Sequence, residues 1–454
     1  MMLLYSLLVG ALARDTLAQM GRGPDGLATP PAAARQAIQQ HLSMPPNGAG
    51  SPNRWALTQK LAVAEEDIDS FGYAVAISGD TVVVGAPGSN CWLRGCAGAL
   101  LVFERDPEGG ANWRYVQELA LLGATFGMGR SVVIDGDTIA TVAFSCCLGP
   151  YTLETILLIY ERNGAGLQPW TLVQTHFLGR IDPHHAAMAL AGDLLFVSEP
   201  IADYPIEPPQ PGLVYVFARQ GGGQNTWGPV ARIASPTGIA EEYFGESLAY
   251  ADHILAVGAP YASPWKPPTQ AGHVYLFQGD EHDPANWQWV QTLEASDNAS
   301  ANDFGRSVAL FDDLILVGAS AVDNGAGMVS GAAYLYAPET NGGTSWLVQQ
   351  KLVPPDNSID GAGFGYWVLG QGETLVVGEK GIGRHARVHI YEPGPAGADL
   401  WGHLQTINLV QIGPVAGLDK EILVVGDPGS WRLEDFVSIY GRRDYQGYLP
   451  AVRR

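Results

Sequence analysis

A seventeen-residue segment, FGYAVAISGDTVVVGAP (Phe71–Pro87), recurs along the chain in degraded form. Further copies begin at Met128, His184, Phe244, Phe304, Phe364 and Ile412, giving seven start points spaced by 57, 56, 60, 60, 60 and 48 residues. A chain of 454 residues would ordinarily divide into a few unrelated domains. Self-similarity at this period overrides that expectation. One supersecondary unit is repeated, and each copy must bury its apolar face against its neighbours.

Each copy holds four short apolar segments. In the first copy these are Tyr73–Ile77, a Gly-Asp turn, Thr81–Val84 running into Gly-Ala-Pro, then ALLVFER (Ala99–Arg105) and WRYVQEL from Trp113. β-Branched and aromatic runs bounded by Gly, Pro, Asn and Asp read as strands. Four strands per unit in seven units predict an all-β fold: a seven-bladed β-propeller of four-stranded antiparallel blades. The seventh copy has no Trp strand after VSIYGRR (Val437–Arg443), whereas an extra one, WALTQKL (Trp55–Leu61), precedes the first copy. Pairing these two segments closes the ring and removes both exposed sheet edges. Trp55, Trp113, Trp170, Trp227, Trp287, Trp346 and Trp401 share one outer-strand position and are expected to be structural. Each ring can remove ~150–250 Å² from water, roughly 4–6 kcal/mol as an upper bound.

Composition agrees with this reading and excludes others. Gly and Pro together occupy 57 + 31 = 88 positions, too many for helix bundles or coiled coils. Apolar residues make up 46%, too many for a disordered polyanion. The net charge of −21 argues against nucleic acid as a partner. The start, MMLLYSLLVGALA (Met1–Ala13), is too short to span a bilayer and resembles a secretory signal, with cleavage expected near residues 13–19. Residues 20–52 read as a disordered Gly/Pro/Ala-rich spacer, 53–443 as the propeller and 444–454 as a tail. No other stretch is long and apolar enough to be a transmembrane segment, so a secreted or cell-surface monomer is expected.

The Phe-Gly … Gly-Ala-Pro frame resembles the FG-GAP repeat of integrin α-subunit propellers and of exported bacterial proteins. It is clear at Phe71, Phe244, Phe304 and Phe364 and degraded at Met128, His184 and Ile412. The resemblance implies a seven-bladed propeller with the Phe-Gly at the start of the innermost strand. It also implies calcium loops between the first and second strands. Here those turns read SGD, DGD, AGD, ADH, FDD, QGE and DKE, too short and too poor in oxygen ligands. No metal or cofactor is therefore expected; a weak ion at 65–69 or 356–360 is the lesser alternative to solvated loop charges.

Propeller topology puts the loops between second and third strands on one face. Those loops carry Trp92, Tyr151, Tyr204, Trp265 and Trp431, from five consecutive units of the ring. An arc of aromatics stiffened by Pro is the expected ligand-binding surface, for an extracellular protein or a glycan. Cys91, Cys96, Cys146 and Cys147 fall in two neighbouring loops of that face and are expected to form disulfides, Cys91–Cys96 first and a cross-blade pairing as the alternative. No catalytic motif accompanies the repeats, so a non-catalytic adhesion module is expected. A polysaccharide hydrolase or lyase would need His184 and His185 or acidic groups to converge; a purely structural envelope protein is the third reading. The run Arg384–Arg387 reads as a solvated face.

Overall fold

The computed structural model describes residues 55–442 apart from the segments 64–67, 90–96, 107–111, 122–124, 146–153, 165–167, 180–185, 201–210, 224–225, 240–241, 262–271, 281–282, 298–302, 323–329, 340–344, 356–362, 381–385, 395–399, 410–414 and 428–434. The chain divides into two units, Met1–Pro52 and Asn53–Arg454, and every described residue lies in the second. The expected signal, spacer and tail lie outside the described residues.

Seven sheets form the body, and their strands pair antiparallel in chain order. Blade 1 is Ala74–Ser78, Thr81–Ala86, Ala99–Arg105 and Trp113–Leu119. Blades 2 to 6 follow within 125–179, 188–234, 247–293, 304–352 and 364–409. Blade 7 consists of Ala416–Asp419, Ile422–Asp427, Phe436–Arg442 and, as its outer strand, Trp55–Leu61. Trp55 stands opposite Arg442 and Leu61 opposite Val437, so the N-terminal strand completes the last sheet. The innermost strand of each blade lies against that of the next, and blade 7 against blade 1.

The core is seven radial slabs, one at each interface between blades. This explains the near-continuous apolar second strands, which are buried on both faces. Val82 and Val84 face the slab shared with blade 7, while Val83 between them faces blade 2. Each outer-strand Trp packs back onto the preceding blade: Trp113 against Val424 and Ile439 of blade 7, and Trp55 into the slab with Val376 and Ile390 of blade 6. Trp55, Trp113, Trp170, Trp227 and Trp401 are buried as expected, but Trp287 and Trp346 are only half-buried. Trp287 lies over Gly279 and meets Phe196 edge-on; nothing in the structure explains Trp346.

The outer strands share a β-bulge. In blade 7, Leu57 and Gln59 pair with consecutive partners while Thr58 between them is skipped. The same shift occurs in the outer pair of every other blade. It breaks the regular edge that another strand would need for pairing. It also precedes a recurrent glutamine, four residues after the Trp, whose side-chain amide grips the Trp backbone of the next blade. Gln59 accepts from Trp113 N at 2.7 Å and donates to its carbonyl at 2.9 Å. The same two-bond clasp joins Gln117 to Trp170, Gln174 to Trp227, Gln291 to Trp346 and Gln350 to Trp401. Gln405 then grips Trp55, 350 residues away in sequence, at 3.1 and 3.0 Å. Blade 3 has Ala231 at this position.

Two further belts join blade 7 to blade 1. The Asp419 carboxylate accepts from Gly79 N in the inner turn of blade 1, as Asp135 accepts from Gly192 N between blades 2 and 3. Gly426 packs on Gly72 so closely that a Cβ on it would lie 2.1 Å from the Gly72 carbonyl oxygen. Gly85–Gly129, Gly258–Gly305 and Gly318–Gly365 repeat this contact at three other interfaces. The Gly of Gly-Ala-Pro in one blade therefore meets the Gly of Phe-Gly in the next. In blade 2, Val142 replaces the first glycine, and the next blade has His185 in place of the second.

The expected strands shift slightly. The first begins at Ala74 rather than Tyr73, the second runs on to Ala86, and the third strand of blade 7 is Phe436–Arg442. In blade 2 the innermost strand is split into Thr125–Phe126 and Val132–Asp135, and between them Gly127 and Gly129 take φ of +72° and +92° on either side of Met128.

Candidate functional site

In the five blades where it is described, the Phe-Gly step leads into the innermost strand with a backbone kink. The residue before Phe and the Gly after it both have positive φ in blades 1, 2, 4, 5 and 6. Glycine fills the first position at Gly127 and Gly363, but Ser70, Tyr243 and Asp303 stand there in left-handed conformation, uncommon for non-glycine residues. The kink turns the next side chain toward its counterparts in adjacent blades. That column reads Tyr73, Arg130, Ala186, Glu246, Arg306 and Tyr366; its blade 7 member, Pro414, lies outside the described residues. Arg130 stacks on Tyr73 in blades 1 and 2, and buried Ala186 separates this pair from a larger cluster in blades 4 to 6.

Arg306 is the centre of the larger cluster. Its guanidinium donates to Glu246 at 2.5 Å, to the Tyr261 hydroxyl at 2.9 Å and to the Tyr366 hydroxyl at 3.3 Å. Only 20% of the Arg306 side chain and 7% of the Glu246 side chain are exposed, so this ion pair is little screened. The guanidinium also lies 5.1 Å from the Tyr366 ring centre, and the exposed Lys380 ammonium lies 4.7 Å from it. Tyr243 meets Tyr261 edge-on at 4.6 Å, and Ser320 donates to Asp303 at 3.1 Å.

This arrangement pushes titration in opposite directions. Burial alone would raise the Tyr366 phenol, but the charge and hydrogen bond of Arg306, then those of Lys380, outweigh it and hold the phenol below its usual range. Burial raises the Asp303 carboxyl, and its bond from Ser320 and the Arg306 charge offset this only in part. Tyr261 is raised, chiefly by burial. The cluster thus combines a positive field at Tyr366 with acceptor carboxylates and tyrosine rings. Among the described residues no group of His, Cys, Asp and Glu is arranged to hold a metal ion.

Trp92, Tyr151, Tyr204, Trp265 and Trp431 lie outside the described residues, as do Cys91, Cys96, Cys146, Cys147, His184 and His185. Tyr261, a member of the rim cluster, immediately precedes the segment that carries Trp265. The expected solvated face at Arg384–Arg387 is corrected at its described end. Ala386 is buried, and Arg387 forms an ion pair at 2.8 Å with Glu379, which is itself fully buried and also contacts His389 at 3.1 Å. A carboxylate without access to water requires such partners. The rim column escaped the sequence reading although its signal was present: Tyr, Arg, Ala, Glu, Arg and Tyr follow the Phe-Gly position in successive copies.

The FG-GAP repeat profile matches residues 55–103, 227–277 and 287–336. These three segments are FG-GAP repeats. The first match begins at Trp55, the strand that completes blade 7, and the other two begin at outer-strand tryptophans, Trp227 and Trp287. An FG-GAP unit defined this way spans two blades, taking the outer strand of one with the inner strands of the next. No curated protein matches the chain. Among solved structures, the β-propeller domain of the Trilobed protease from Pyrococcus furiosus aligns at 10% identity, covering 85% of this chain and 98% of that one, with a TM-score of 0.47. Sqt1 from Chaetomium thermophilum aligns at 12% identity, covering 83% and 97%, with a TM-score of 0.42. Both likenesses are weak, and neither bears on what this chain does.

Proposed function

We propose that this FG-GAP propeller is an exported, monomeric binding module, without chemistry of its own, that engages an extracellular protein or a glycan through the face bearing the Phe-Gly rim. The observation that carries the reading is the Glu246–Arg306–Tyr366–Lys380 cluster, which gathers charge and aromatic surface from three blades on one face. In the sequence, Trp92, Tyr151, Tyr204, Trp265 and Trp431 fall in the connections between second and third strands, and Cys91, Cys96, Cys146 and Cys147 fall in two of these, where disulfides would brace them. The apolar leader supports export, and the net charge of −21 disfavours nucleic acid.

The test is a panel of glycans and extracellular proteins against the wild type and the double variant Trp92→Ala plus Trp265→Ala. Loss of about tenfold or more in affinity for a wild-type hit is expected, the scale of one buried aromatic anchor. Undiminished binding of every hit would remove the aromatic loops from the site. Cleavage of a glycan that depends on His184 or His185 would replace the reading with an enzymatic one.

A further inference from the structure

We infer that the rim cluster of blades 4 to 6 recognises a carboxylate-bearing sugar, with Lys380 and Arg306 facing its carboxylate; this rests on the reading that this face binds a ligand. The chain as a whole carries −21, yet two cations converge on one tyrosine here. Lys380 is the exposed member, with an ammonium whose three donors can turn outward to a ligand. Arg306, pinned from below by Glu246, fixes the Tyr366 hydroxyl and keeps the local field positive. An anion bound there replaces water around both cations and gains charge-assisted hydrogen bonds.

The other groups favour a sugar acid over an acidic peptide. The Asp303 carboxylate is only partly buried and accepts hydrogen bonds, and a sugar acid brings several hydroxyl donors for it on a compact ring beside its own carboxylate. Tyr243 and Tyr261 are half-buried rings set edge to face, so a partly exposed aromatic surface stands beside the cations. Sugars present apolar C–H faces to such rings and hydroxyls to their rims. A uronate supplies the carboxylate, hydroxyls and C–H face in one residue.

Tyr366 reports occupancy. A bound carboxylate offsets the field of Arg306 and Lys380, so the phenol returns toward its ordinary value. By linkage, affinity falls as pH rises through Tyr366 ionisation.

The experiment is calorimetric titration of the full chain with oligogalacturonate and with its methyl ester, which removes the charge and leaves the hydroxyls. The acid form is expected to bind at least about tenfold more tightly, as one charge-assisted contact requires. Lys380→Ala should remove that preference, and Lys60→Ala on the outer strand of blade 7 should not. Ultraviolet titration of the phenolate should show one tyrosine moving up on addition of the acid form, and this signal should be absent in Tyr366→Phe. Equal binding of acid and ester, or an undiminished preference in Lys380→Ala, overturns the carboxylate inference and leaves the binding module standing. Failure of both forms to bind also overturns it, while the wider panel decides the module separately. Lys380 is exposed, so its substitution leaves the fold intact.

Discussion

Two glycines that both have positive φ have opposite tolerances. Gly365 follows Phe364 with φ of +85°, and a Cβ there would lie 2.2 Å from the Ala332 carbonyl oxygen. Gly372 sits in an inner turn with φ of +52° and open space around it. Asp312 and Lys420 hold the equivalent turn positions in other blades. Gly372→Ala is therefore expected to cost about 1–2 kcal/mol, the left-handed penalty alone. Gly365→Ala should cost at least about 3 kcal/mol, because the neighbouring backbone must also move. Urea unfolding of the two variants measures the difference, and equal losses would contradict the close blade contact. Acid titration separates two carboxyls in the same way. Asp303 is raised by burial, so its stabilising contribution is complete below the unfolded value of ~3.9 and is lost as pH rises through its higher native value. Asp303→Asn should then be more stable than wild type at pH 7 and equal to it near pH 3, as read by urea midpoints. Asp297 runs the other way. Burial raises it, but bonds from Lys351 and Tyr334 overcome this and hold it low, so Asp297→Asn should lose stability at neutral pH and lose less as acid protonates the native carboxylate.

At the level of the strand, the most regular device is the clasp between outer-strand glutamine and the next blade's tryptophan backbone. It satisfies a main-chain donor and acceptor on an edge strand that would otherwise rely on water. Blade 3 interrupts it with Ala231, opposite Val216 just before the bulge. Ala231→Gln should supply the missing pair of bonds to Trp287 and stabilise the protein by about 1 kcal/mol, with Gln174→Ala costing a similar amount. Thermal melts of both variants check the signs, and a destabilising Ala231→Gln would mean that blades 3 and 4 lie at a different spacing. Much of this level was legible in the chain. The outer strands Trp55–Leu61 and Trp113–Leu119 and the third strand Ala99–Arg105 fall where turn residues and apolar alternation put them. The clasp was visible as Trp followed four residues later by Gln but carried no meaning until the bulge and the ring brought the pair together. The half-burial of Trp287 and the ion pair at Arg387 were not legible, because both depend on which side chains of other strands stand opposite.

For the whole molecule, one seam decides everything else. The polar rim is assembled from residues about 60 positions apart, and no local pattern could show that Glu246, Arg306 and Tyr366 touch. Their contact follows once seven blades share a circle, and the circle depends on Trp55–Leu61 joining blade 7. Contacts that recur between other blades hold blade 7 on both sides: Gln405 of blade 6 to Trp55, and Asp419 to Gly79 and Gly426 against Gly72 at blade 1. The aromatic loops that were foreseen on this face lie outside the described residues, so the rim is the part of the site that geometry supports. The most direct measurement is thermal melting of the chain lacking residues 1–61, alone and with a synthetic peptide spanning 53–63. Closure by the N-terminal strand predicts a lower, broad or aggregating transition that the peptide sharpens and raises. A truncated chain that melts as sharply and as high as the parent, indifferent to the peptide, would contradict the closed ring.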